Sequence, residues 1–141
     1  MSGFLLDTNV ISELVSPRPS PRVLEWMDAA DETMLHLSVL TLGEIRKGAA
    51  GRHQDKRRTR LETWLEVELP ARFAGRILSI DAALADRWGL LTAEAKRLHK
   101  VLPVIDGLIA ATALHYNLTV VSRNTSDFSA ARVQVLNPWE A

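Results

Sequence analysis

Short, nearly continuous apolar runs recur along the chain and are separated by longer segments with a different hydrophobic period. Such runs are typical of strands that are buried on both faces of a parallel sheet. Val133, Gln134 and Val135 instead alternate between apolar and polar, which favours an edge position for the last strand. The pattern predicts five strands: Phe4–Leu6, Thr33–Ser38, Arg76–Ile80, Thr119–Ser122 and Arg132–Leu136.

The segments between these runs carry apolar residues at the spacing of an amphipathic helix. Pro70 is expected to end one of these helices, and Pro103 lies where another begins. Alternation of strands and helices predicts an α/β layered domain with a parallel sheet. The helical repeats that stand out are Leu42–Ala49, Leu61–Leu69 and Leu84–Leu98.

The composition narrows the class of protein. A length of 141 residues fits a single domain over residues 1–141, and a 47% apolar content is enough for a core. Seventeen basic residues balance seventeen acidic ones, so the basic excess of a nucleic-acid coat is missing. The absence of cysteine excludes disulfides, a thiolate nucleophile and zinc sites that need sulfur. No apolar run approaches the roughly 20 residues that span a bilayer, and the N-terminus has no charged leader. We therefore expect a cytoplasmic protein without membrane contact.

Four acidic residues are expected at the same edge of the predicted sheet. Parallel strands all end at one edge, and open α/β sheets bind ligands there. Asp7 ends the first strand, and Asp127 follows the fourth. Glu44 lies just over a turn into the helix after the second strand, and Asp106 begins the helix that leads into the fourth. Asp81 also follows a strand, but its surroundings predict a helix N-cap.

Converging carboxylates need a proton or a cation to be stable. Two unit charges about 4 Å apart repel by roughly 4 kcal/mol at an effective dielectric constant of about 20. Several such pairs would rival the whole stability of a small domain, roughly 5–15 kcal/mol. Oxygen ligands without cysteine or clustered histidine suit Mg²⁺ or Mn²⁺ rather than Zn²⁺. Such a site can polarise a phosphate and activate water.

Each acid also has an ordinary structural explanation. Asp7 could be only the N-cap of the first helix. Thr41 and Glu44 fit a capping box, and a glutamate there is commonly a solvated helix residue. Asp106 could cap its own helix, and Asp127 could belong to a polar turn. Their conjunction at one edge favours a functional site.

Basic residues cluster between Arg52 and Arg60. The favoured interpretation is the solvated face of a helix that buries Leu61 and Trp64, and the alternative is a patch for RNA phosphates. Arg123, beside the acidic edge, is a better candidate for phosphate binding. The four histidines are scattered and suggest no general base, and the four tryptophans are interpreted first as packing residues.

The segments that carry these acids resemble the motifs of PIN-domain ribonucleases. The similarity is greatest to the toxins of bacterial VapBC-type toxin–antitoxin pairs, including their FitB-like branch. It covers nearly the whole chain, and four motifs in this order and at these separations are specific although each alone is weak. The motifs lie at Leu5–Val10, Leu37–Ile45, Pro103–Ala113 and Ser122–Phe128.

This resemblance implies a three-layer α/β/α sandwich with strand order 3-2-1-4-5, which leaves Asp81 outside the site. Asp7 and Asp106 match the principal metal ligands of the family. Glu44 and Asp127 match acids that complete the shell of Mg²⁺ or Mn²⁺, directly or through water.

The resemblance also implies supporting residues and partners. Thr8, Asn9 and Asn124 match polar positions that support the site, and Arg123 lies beside them. Toxins of this kind cleave RNA and are usually homodimers. A cognate VapB/FitA-like antitoxin neutralises them by laying a C-terminal segment across the active-site groove, and contact with DNA is made only through that antitoxin.

Two alternatives belong to other functional classes. A phosphohydrolase could use Asp7 as a nucleophile that becomes an aspartyl-phosphate, but such enzymes usually carry a second aspartate where this chain has Asn9. An inactive domain that only grips RNA or protein is the other alternative, and an intact acidic quartet argues against it.

Overall fold

The computed structural model describes residues 3–140. All five predicted strands are present, with shorter bounds than the sequence predicts. Thr33 lies in a 3-10 helix, Glu32–Met34, because the Asp31 carboxylate accepts its backbone N–H at 3.0 Å. Arg132 has a left-handed backbone with φ of 53°, so it ends a 3-10 helix instead of starting a strand. The strands are β1 Phe4–Leu6, β2 Leu35–Ser38, β3 Ile77–Leu78, β4 Thr119–Val121 and β5 Val135–Leu136.

The strands form a parallel sheet of order β3-β2-β1-β4-β5. Phe4 of β1 is in register with Leu35 of β2 on one side and Thr119 of β4 on the other. The predicted order is confirmed, and β5 lies at the edge as its alternating pattern indicated. The reversal of strand order beside β1 places the ends of β1, β2 and β4 next to each other.

Helices cover both faces of the sheet because successive strand residues point to opposite sides. Leu6 and Val121 belong to one buried cluster, which also contains residues of α1 and α2. Leu5 and Val120 belong to a second cluster, which also contains Ile109, Ala110 and Ala113 of α7. This is the three-layer α/β/α arrangement. The helices are α1 Thr8–Leu14, α2 Pro21–Ala29, α3 Val39–Ala50, α4 Lys56–Thr63, α5 Leu69–Arg72, α6 Ala82–Arg97 and α7 Val104–His115, with a π-helical turn at Trp64–Glu68 and 3-10 helices at Glu32–Met34 and Thr125–Ala131.

The prediction that Pro70 ends a helix is wrong, because the helical path continues to Arg72. A π-helical turn over Trp64–Glu68 lies directly before α5, and Pro70 occupies the first turn of α5. A proline is tolerated in a first turn, and the wider turn before it changes the usual hydrogen-bond ladder. The start of α7 after Pro103 agrees with the sequence.

Gly107 allows α6 and α7 to approach closely. A Cβ at this position would lie 3.0 Å from Cδ1 and Nε1 of Trp88 and 3.3 Å from Leu102. The indole of Trp88 therefore packs directly over the backbone that follows Asp106. This contact holds the beginning of α7 in place. It therefore also positions Asp106, which the sequence predicts at the carboxyl edge of the sheet.

Candidate active site

Asp7 lies at the junction of β1 and α1 and is 6% exposed. Its backbone N–H continues the sheet by donating to the carbonyl of Val121 at 2.9 Å. Its Oδ1 accepts the backbone N–H of Thr8 at 2.9 Å, so Asp7 is also the N-cap of α1. The cap and the functional interpretation of Asp7 are therefore compatible.

Ser122 holds the other oxygen of Asp7. Its fully buried hydroxyl donates to Oδ2 of Asp7 at 2.8 Å. The same hydroxyl accepts the side-chain amide of Asn9 at 3.1 Å and the backbone N–H of Asn124 at 3.0 Å. Ser122 is not among the residues predicted for the site. A polar residue directly after the apolar strand β4 is the signal that would have found it.

Burial raises the pKa of Asp7 above its ordinary value of 3.8. Hydrogen bonds from Ser122 and from the backbone of Thr8 oppose this effect, and the charges of Glu44 and Asp127 add to it. The uncharged donors of Ser122 and Thr8 therefore orient the Asp7 carboxylate, while the nearby carboxylates of Glu44 and Asp127 make its ionised form less favourable.

Glu44 lies on α3 and is tied to α1 through Thr8. The Thr8 hydroxyl donates to Oε1 of Glu44 at 2.5 Å and lies 3.2 Å from the hydroxyl of Thr41. The capping-box interpretation of Thr41 and Glu44 is wrong, because α3 begins earlier and Ser38 is its N-cap. Glu44 is half-buried, so it is not a solvated helix residue.

Asp106 and Asp127 approach the site from the other side of β1. Asp106 is the third residue of α7, where Pro103 occupies the N-cap position, so Asp106 does not cap this helix. Asp127 is exposed and lies in a 3-10 helix that is anchored by buried Phe128, not in an irregular loop. The pKa of Asp106 is raised to about 6, mainly by burial and in addition by the charges of Asp7, Asp127 and Glu44.

The four acids are therefore close enough to influence each other's charge, although they come from four separate elements. Across residues 3–140, none of them forms an ion pair with Lys, Arg or His. Within that same range, no three acidic or histidine side chains are drawn together as a ready-made metal cage. Four carboxylates with oxygen donors only and no protein counter-charge are the donor set that fits Mg²⁺ or Mn²⁺.

The remaining predicted site residues form a polar rim. The side-chain oxygen of Asn9 accepts the backbone N–H of Arg123 at 3.2 Å, and Asn124 contributes its backbone N–H to Ser122. The guanidinium of Arg123 lies 5.2 Å from the centre of the Trp139 ring, in a cation–π contact. Asp81, by contrast, caps α6 by accepting the N–H of Leu84 at 3.0 Å, as the sequence predicted.

Residues 4–133 match the PIN domain family. Because this match spans most of the sequence, the chain belongs to the PIN domain family. The fold, the strand order and the motifs noted in the sequence agree with this assignment. In the part of the chain from residue 3 to residue 140, no helix is both long and apolar enough to cross a membrane.

Curated relatives match over almost their whole length. The chain is 43% identical over 136 residues to the VapC ribonuclease Y4jK of Sinorhizobium fredii, covering 96% of this chain and 97% of that protein. It is 42% identical over 135 residues to the toxin FitB of Neisseria gonorrhoeae, with the same coverage of 96% and 97%. A crystal structure of FitAcB from Neisseria gonorrhoeae superposes with a TM-score of 0.93 at 41% identity, over 98% of this chain and 99% of that one.

Proposed function

We propose that this chain is the toxin of a VapBC/FitAB-type toxin–antitoxin pair and acts as a divalent-metal-dependent ribonuclease. The observation that carries the proposal is the buried Asp7 carboxylate, which is coupled to three further acids without a cationic partner among the described residues. Membership of the PIN domain family and identities of 43% and 42% to a VapC ribonuclease and a FitB toxin support it.

In this proposal Asp7 and Asp106 are the principal ligands of Mg²⁺ or Mn²⁺, and Glu44 and Asp127 complete the shell directly or through water. When bound, the ion supplies Lewis-acid chemistry for hydrolysis of an RNA phosphodiester. The donor set supports this assignment because hard divalent cations prefer carboxylate oxygens. The raised pKa of Asp106 also supports it, since a bound cation would offset the cost that burial first, and then the neighbouring carboxylates, impose on its charge.

The chain's own residues would prepare this chemistry by holding the acids in place. Ser122 and the N–H of Thr8 fix both oxygens of Asp7, and the Thr8 hydroxyl fixes Glu44. Asn9 contacts Ser122 and Arg123, and the backbone of Asn124 contacts Ser122, so these contacts hold the segment after β4 against the start of α1. Arg123, at the same rim, would contact a phosphate of the substrate. Supporting contacts of this kind orient metal ligands and influence metal affinity.

The proposal extends to partners. FitAB and VapBC are the names of the complexes to which this fold is similar, and one of the FitAB structures contains a DNA fragment. We infer a cognate VapB/FitA-like antitoxin, a homodimer of this chain, and contact with DNA through the antitoxin alone. We further propose a single PIN-like domain over residues 1–141 and a cytoplasmic location.

The test is cleavage of RNA by the purified chain with Mg²⁺ or Mn²⁺, with and without EDTA. Asp7→Asn and Asp106→Asn should abolish cleavage and relieve growth arrest on induction, whereas Asp86→Asn, an exposed aspartate of α6, should change neither. Activity that persists in both site variants, or in EDTA, would refute the proposal.

A further inference from the structure

Two adjoining cavities lead away from the acidic edge between α1, α3 and the α4 region. The inner cavity has a volume of about 280 Å³, and Glu44 is part of its wall. The outer cavity has a volume of about 430 Å³ and ends near Pro17 and Glu68. Val15, Arg57, Leu61 and Trp64 line both cavities, which therefore form one continuous depression, called here the Arg57 groove.

Three arginines give the Arg57 groove a positive wall. Arg52 and Arg57 line the inner cavity, and Arg57 and Arg60 line the outer one. None of these three guanidinium groups has an ion-pair partner among residues 3–140, whereas Arg46 and Arg58 nearby both pair with Glu62. In a chain of zero net charge, three cations without counter-charges on one wall indicate an anionic ligand. Glu68 bears the opposite charge at the outer end.

Trp64 adds an aromatic surface to this wall. Its side chain is half-buried against the first hydrophobic cluster and still lines both cavities. Grooves that combine arginines with an accessible aromatic ring are typical of proteins that bind single-stranded nucleic acid. Stacking on such a ring requires an unpaired base, which a duplex does not offer.

We propose that the Arg57 groove binds the single-stranded RNA segment next to the cleavage site, with phosphates on Arg52, Arg57 and Arg60 and a base stacked on Trp64. This inference rests on the proposed ribonuclease function and adds a location for its substrate. Arg57 and Arg60 are three residues apart on one helix, so their side chains lie on the same face and can contact neighbouring phosphates. The position of Glu44 in the inner wall connects this surface with the acidic edge.

The test measures binding of a labelled single-stranded oligoribonucleotide by anisotropy in EDTA, so that it does not depend on cleavage. Arg57→Gln and Arg60→Gln should each weaken binding by about threefold to tenfold and lower the slope of log Kd against log salt by about 0.7. Arg97→Gln is the matched control because it removes the same charge from an exposed position of α6, a helix that packs mainly on α7. This variant should bind like the native chain.

Tryptophan fluorescence gives a second readout. Single-stranded RNA should quench the emission of the native chain, and Trp64→Phe should lose most of that quenching while retaining most of the affinity, since a phenyl ring still stacks. Unchanged quenching in Trp64→Phe would contradict the stacking role.

The outcomes separate this inference from the function on which it rests. Equal weakening by all three arginine variants, or by none of them, overturns the groove assignment while RNA binding by the native chain persists. Unchanged RNA affinity with loss of antitoxin binding in Arg57→Gln assigns the groove to protein docking and also overturns it. Failure of the native chain to bind or cleave any RNA refutes the ribonuclease proposal itself, and the groove inference falls with it.

Discussion

Asp106→Asn tests whether the acidic edge stores electrostatic repulsion in the absence of a cation. The pKa of Asp106 rises from 3.8 to about 6, because of burial first and then the charges of Asp7, Asp127 and Glu44. Each pKa unit corresponds to about 1.4 kcal/mol, so the full effect would be about 3 kcal/mol. Asp106 is partly exposed, and screening by solvent reduces this to about 1 kcal/mol. Asparagine keeps the shape and removes the charge, so the variant should be more stable by that amount.

The stability difference between Asp106→Asn and the native chain should depend on pH. The folded chain binds the Asp106 proton more tightly than the unfolded chain does, so ionisation of Asp106 costs stability. The cost is absent below about pH 4, grows as the pH rises through about 6, and is complete above that value. The variant should therefore match the native chain at low pH and exceed it at pH 7.

Urea denaturation in EDTA at several pH values measures this difference. Asp86→Asn should change the free energy of unfolding by less than about 0.5 kcal/mol, because Asp86 is exposed on α6. Addition of Mg²⁺ should stabilise the native chain more than Asp106→Asn, since the variant has lost a ligand. An Asp106→Asn variant that is less stable than the native chain at pH 7 in EDTA would show that the charge of Asp106 does not destabilise the metal-free fold.

Three further predictions concern residues that support the site. Ser122→Ala removes the hydroxyl that donates to Asp7, so it should lower the free energy of unfolding in urea by about 1–3 kcal/mol and reduce cleavage. Ser129→Ala, at an exposed position of the 3-10 helix that follows β4, should change neither. Gly107→Ala should lower the free energy of unfolding in urea by about 1–3 kcal/mol and slow cleavage, because its Cβ meets Trp88. Gly89→Ala, with open space around it, should raise the free energy of unfolding by about 0.5–1 kcal/mol in the same assay. Asp81→Ala should lower the free energy of unfolding by about 1 kcal/mol, because it removes the N-cap of α6. Its kcat/KM should be unchanged, since Asp81 is not one of the four acids of the candidate site.

Much of the fold could be predicted because buried strands and amphipathic helices leave different periods in the sequence. The four acids could be placed at one edge for the same reason, since parallel strands end together. Ser122 was missed because a hydroxyl gives no charge or spacing signal until β1 and β4 are known to be neighbours. The prediction for Pro70 failed because a π-helical turn precedes it and starts α5 there, so that the proline occupies a first turn, where it is tolerated. The ion-pair partners of the arginines between positions 52 and 60 could not be predicted either, because they depend on which face of α4 packs against its neighbouring helices.

If the proposed toxin function holds, the placement of Asp7 at the start of α1 also bears on how a gene of this kind can lose its toxicity. Asparagine is as good an N-cap as aspartate, so Asp7→Asn keeps the helix start while it removes the charge. The two codons differ at a single nucleotide, which makes this one of the most accessible changes under selection for survivors. We expect such survivors to retain a folded, inactive chain that still engages the neutralising partner. Such a chain would still bind that partner and so lower the amount of it that is free.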